Sequence, residues 1–126
     1  MSLQSPLGKF LGHGSAKEGV QHWWSQRLTA VALVPLTLWF VAALLGMETF
    51  AHPEILGWMA QPFNAIMLIL LAISILSHSQ LGVQVVVEDY VHGWAKIVAL
   101  MASKLVHIAV GVAVIYSVII ISVGSS

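Results

Sequence analysis

The stretch HSQLGVQVVVEDY, residues 78 to 90, sets a histidine, a glycine, an aspartate and a tyrosine at the end of a membrane-length run that carries no Asp, Glu, Lys or Arg from Ile55 to Val87. At about 100° per residue, Gly82, Val85 and Asp89 all fall within about 40° of His78 on one helix face. An ionisable side chain in hydrocarbon is costly and usually faces a protein interior or a cavity, so a histidine there points to function. Two readings stand: His78 is an axial ligand to a haem iron, or it only hydrogen-bonds a neighbouring helix. Gly82, one turn on, removes the side chain that would collide with a flat macrocycle beside the helix; it equally permits close helix packing. Asp89 and Tyr90 close the run. A phenol can donate to a quinone carbonyl while a neighbouring carboxylate orients donors or relays protons, although such a pair also serves as plain interfacial capping.

Depth adds a constraint. The rise from His78 to Asp89 is roughly 16 Å, which puts the imidazole near mid-membrane. Propionates of a haem held there would point toward the surface, where Arg27 is placed to meet an anion; Arg27 is equally well explained as a positively charged anchor.

The elements that must position these groups follow from composition. With 59% hydrophobic and 8% charged residues, and a mean hydropathy of +0.93, the chain is unlike a soluble domain and belongs in a membrane. Its zero net charge and lack of a basic, aromatic-interleaved patch give no reason to propose nucleic acid or an acidic substrate. The absence of cysteine excludes disulfides, thiolate metal sites, iron-sulfur ligation and c-type haem attachment within the chain, so any metal must use histidine or carboxylate.

Roughly 20 apolar residues cross a hydrocarbon core, and the charge-free runs predict three transmembrane helices, over about 28–47, 62–88 and 96–123. Pro35 predicts a kink in the first, and Pro62 suits the start of the second. Residues 1–26 are too polar and glycine-rich to cross lipid and lack a signal-peptide core, which predicts a retained surface segment, with His22, Trp23 and Trp24 as interfacial anchors. Lys9, Lys17, Arg27, Lys96 and Lys104 are the only basic residues, all before the first span or at the start of the third. The positive-inside rule then places the N-terminus and the second loop in the cytoplasm. Lys104 reads as a snorkelling lysine. His13, His52 and His92 fall in surface segments and take no role. No internal repeat is visible, so residues 1–126 read as one all-α integral membrane domain without room for a soluble catalytic unit.

The pattern H-x3-G-x6-D-Y, carried by His78, Gly82, Asp89 and Tyr90, resembles the small hydrophobic membrane-anchor subunit of succinate dehydrogenase, respiratory complex II. The segment HWWSQRLTAVALVPLTLWF, residues 22 to 40, is similar to the first helix of that subunit in alphaproteobacterial complexes, including the Arg-x-Thr-Ala core of Arg27, Thr29 and Ala30. The resemblance implies a heteromeric helix bundle within a heterotetramer serving the tricarboxylic acid cycle and aerobic electron transport. A flavoprotein carrying FAD oxidises succinate, and an iron-sulfur subunit passes electrons to ubiquinone beside two membrane anchors. It further implies that His78 supplies one axial ligand to a haem b shared with the larger cytochrome b anchor. Tyr90 would hydrogen-bond ubiquinone, with Asp89 beside it and Arg27 near the propionates or quinone pocket. The implied location is a bacterial inner membrane; a mitochondrial inner membrane is the alternative. His107, at nearly the depth of His78, leaves open a self-contained bis-histidine cytochrome b, although the family pattern makes it a packing residue. A cofactor-free assembly or structural membrane protein is the remaining alternative.

Overall fold

The computed structural model describes residues 16–124. The expectations attached to Lys9, His13, Lys17 and the side chain of His22 lie outside the described residues and side chains. Four helices and no strand occur among the described residues: α1 (Ala16–Leu45), α2 (His52–Ala60), α3 (Pro62–Tyr90) and α4 (Trp94–Gly124). Three helical segments, Trp23–Leu45, Pro62–Tyr90 and Trp94–Gly124, are long and apolar enough to cross a membrane. The fold is all-helical with three spans.

Two features depart from the expectation. The first helix begins at Ala16, well before the apolar run, and continues through Pro35 although that residue gives no amide proton to the ladder. The segment between the first two spans, where His52 was expected in a surface segment, contains helix α2. Its local causes are visible. Pro53 occupies the first turn, where a missing amide proton is harmless, and Glu54 sits beside the positive end of the helix dipole.

Asn64, a buried polar residue, fixes the corner between α2 and α3. Its Nδ2 donates to the Trp58 carbonyl at 2.9 Å and to Gln61 Oε1 at 3.1 Å. The Trp58 ring stacks on Trp39 of α1 with centroids 5.7 Å apart, and Phe40 and Phe63 complete an aromatic cluster around the pair. Ser122 of α4 reaches the Ala60 carbonyl at 3.4 Å. Thus α2 is held against all three spans at one end of the molecule. At the opposite end, α3 stops at Tyr90, and Gly93, with φ +72°, makes the left-handed turn into α4.

The spans form a row. α3 packs against α1 on one side and α4 on the other, while α1 and α4 do not approach each other among the described residues. The buried hydrophobic residues among those described are accordingly few: Leu36, Ala65, Leu71 and Val118. Close approach of α3 and α4 depends on Gly111, where an added methyl would come 3.3 Å from Leu76 Cδ1. Most apolar side chains on the spans point away from the chain, as suits contact with lipid or with other helices.

Candidate functional site

As the middle of the row, α3 can present neighbouring residues to different helices, and at its centre it does so. His78 faces α1, where its Nδ1 lies 3.1 Å from Thr29 Oγ1. Ser79, about 100° further round, faces α4, where its Oγ lies 3.0 Å from His107 Nε2. A polar belt therefore crosses all three spans at one level.

The Thr29–His78 pair sets the register of α1 against α3. Ala16 and Tyr90 each stand about 20 Å from that pair along their helices, so the start of α1 is level with the end of α3. Trp23 is then about 9 Å above the pair and Arg27 only about 3 Å above it. The sequence alone puts Arg27 at the surface; the register brings it almost to the height of His78. Its guanidinium lies 5.1 Å from the Trp23 ring centroid, an arrangement that stabilises a cation where water is scarce. Trp24 meets Trp23 edge to face at 5.0 Å.

Trp23, Gln26, Arg27, Ala30 and His78 line a cavity of about 320 Å³ that opens on the surface of the chain. His78 Nδ1 is engaged by Thr29, and Nε2 has no partner among the described residues. One turn from His78 toward Tyr90, on the same side of the pair as Arg27 and Trp23, a methyl added at Gly82 would meet nothing within 4 Å. At that position the α3 face beside His78 is unobstructed by this chain.

Asp89 and Tyr90 end the same helix. Both side chains are exposed, Tyr90 to 79%, and neither is hydrogen-bonded within the described residues. The structure brings His78 and Arg27 together at one cavity; it leaves Asp89 and Tyr90 at the helix end, on the side of the molecule where α1 begins.

His107 is differently placed. Its Nδ1 lies 2.7 Å from the Ser103 carbonyl, which can only accept, so Nδ1 carries the proton. Nε2 is left as an acceptor and receives the Ser79 hydroxyl. Both ring nitrogens are committed to helix packing. Among the described residues, no three histidine, aspartate or glutamate side chains gather as a metal-binding group.

A family model described as succinate dehydrogenase/fumarate reductase transmembrane subunit matches residues 1–120. The chain belongs to that family. Among curated relatives, the succinate dehydrogenase hydrophobic membrane anchor subunit of Rickettsia bellii is 38% identical over 89 residues, covering 71% of each chain. That of Paracoccus denitrificans is 30% identical over 114 residues, 90% of this chain and 88% of its own. The succinate dehydrogenase membrane anchor subunit of Reclinomonas americana is 32% identical over 90 residues, 68% of this chain and 73% of its own.

Two features of this chain escape a reading of the sequence. Thr29 stands in the Arg-x-Thr-Ala core, yet nothing in the sequence says that its hydroxyl meets His78. Gln80, Gln84 and Glu88 form a ladder along α3, Gln80 Nε2 donating to Gln84 Oε1 at 3.4 Å and Gln84 Nε2 to Glu88 Oε1 at 3.1 Å. The i, i+4, i+8 spacing of these polar residues in an apolar helix was the available signal.

Proposed function

We propose that this chain is the small membrane anchor of a succinate:quinone oxidoreductase, docking the flavoprotein and iron-sulfur subunits to a bacterial inner membrane with its N-terminus in the cytoplasm. In this reading it contributes His78 as one axial ligand to a haem b shared with the cytochrome b anchor, and it borders the ubiquinone site at Asp89 and Tyr90. The observation that carries the reading is the environment of His78: a mid-span imidazole beside a cavity it shares with Arg27.

A haem asks three things of this chain, and the residues present fit them. It needs one imidazole with an uncommitted nitrogen, which His78 offers at Nε2. It needs a helix face clear enough for a flat ring, and Gly82 leaves open space there. Its propionates need a cation, and Arg27 lines the same cavity without an ion-pair partner among the described residues. Bound at His78, the group would supply reversible one-electron storage within the membrane.

The chain's own residues do the rest. Arg27, held by Trp23, concentrates positive charge at a level where anions are otherwise excluded. Tyr90 presents a phenolic proton at the helix end, where a quinone headgroup can reach both lipid and water, and Asp89 can orient that donor or hand on a proton. Neither group completes an active site alone, so succinate oxidation belongs to partner subunits.

The test is the dithionite-reduced minus oxidised spectrum of membranes carrying the intact complex, wild type against His78→Ala, with succinate:quinone reductase activity scored alongside. Loss of the b-type signal in the variant supports the reading; an undiminished signal in an assembled complex overturns ligation by His78.

A further inference from the structure

The hydroxyl of Thr29 sits among three partners: the Ser25 carbonyl at 3.0 Å, the Gln26 carbonyl at 3.0 Å and His78 Nδ1 at 3.1 Å. It has one proton to give. Carbonyl oxygens only accept, and a threonine hydroxyl within a helix characteristically donates to the carbonyl three or four residues back. With its proton spent on the backbone of α1, Oγ1 has only lone pairs to offer the imidazole. Nδ1 of His78 must then be the protonated nitrogen.

We propose that Thr29 is the positioning residue for His78: accepting from Nδ1–H, it fixes the tautomer with the Nε2 lone pair bare and holds the ring in one orientation. The inference rests on the haem-ligand reading of His78 and adds what makes that histidine competent. A neutral imidazole ligates through its unprotonated nitrogen, and a fixed acceptor behind it raises its donor strength toward iron. His107 shows the opposite use of the same chemistry, because there the bare Nε2 is occupied by Ser79. Of the two mid-span histidines, only His78 has its outward nitrogen left for a ligand among the described residues.

The decisive experiment uses the whole complex carrying Thr29→Val, which replaces the hydroxyl with a methyl, and Thr29→Ser, which retains it. Haem content, midpoint potential and low-temperature EPR of the oxidised haem are measured with subunit content as the check on assembly. Loss of the acceptor weakens the imidazole as a donor, so T29V should raise the midpoint potential and move the largest g-value, while T29S stays with wild type. If T29V assembles without haem, retention of haem by T29S supports the proposal and its loss overturns it. A T29V haem with wild-type potential and g-values overturns the proposal, as does a potential that falls, or a T29S protein that behaves like T29V. His78→Ala, measured in parallel, separates the two failures. Haem surviving in H78A sinks the ligand reading itself, whereas haem lost in H78A with T29V unchanged sinks only the role of Thr29.

Discussion

Ser79 Oγ donates to His107 Nε2 across 3.0 Å, while the other nitrogen of that ring is 2.7 Å from the Ser103 carbonyl. This pair makes His107 a fastener between α3 and α4. Replacing it with glutamine or alanine should leave the b-type spectrum of the assembled complex intact. It should cost stability of about 0.6 to 1 kcal/mol, the usual worth of a hydrogen bond between membrane helices. Spectra and thermal denaturation of the purified complex check both halves.

Gly82 offers a sharper test of what lies beside α3. Within this chain a larger side chain there has open space, so Gly82→Leu should not disturb the packing of the three spans. Haem content should nevertheless fall severalfold in G82L, with a smaller loss in G82A. Unchanged haem in an assembled G82L complex would show that no macrocycle lies against that face.

Tyr90→Phe removes one hydrogen-bond donor from an exposed helix end and nothing that holds the fold. Losing one such bond of about 1 to 1.5 kcal/mol should raise the KM for ubiquinone roughly tenfold. Succinate oxidation with a soluble artificial acceptor and the haem spectrum should both stay at wild-type level. Equal loss with both acceptors would place the effect in assembly and not at the quinone.

Gly111 and Leu76 provide a packing test. Gly111→Ala would bring a methyl 3.3 Å from Leu76 Cδ1, a contact that must give slightly, and Gly111→Leu should force α3 and α4 apart at a cost of about 1 to 3 kcal/mol. A G111L chain should accumulate poorly in membranes, and Leu76→Ala should partly restore it, the non-additivity expected of touching residues.

The corner residue Asn64 should matter for stability alone. Asn64→Leu deletes both Nδ2 bonds and leaves the Trp58 carbonyl without that partner, at about 1 to 3 kcal/mol. The melting temperature of the complex should drop while the haem spectrum of the surviving fraction stays the same.

The three spans were legible because a run without charge from Leu28 to Met47, or from Ile55 to Val87, has few places to be other than lipid. The helix α2 was not, because HPEILGWMA is too short to show a period of its own, and Glu54 and His52 made it look like loop. The early start of α1 was hidden by the polar residues of 16–26, which form no apolar run of their own. Of the site, the shared face of His78 and Gly82 follows from numbering, since one helix fixes the angles between its own residues. How far α1 slides along α3 is a property of two surfaces together, so neither the meeting of Thr29 with His78 nor the depth of Arg27 is written in either segment alone.

The arrangement of the spans as a row also bears on how much of this protein a cell can hold. A helix bundle closed on itself is finished once inserted, but a row whose outer helices never meet, and which leaves Arg27 on its surface at mid-depth, is finished only when another polypeptide covers it. Surplus copies would leave that guanidinium facing acyl chains, at the cost of a charged group in hydrocarbon. The abundance of this chain should therefore follow that of its partner subunits, and its half-life should shorten sharply in cells that lack them.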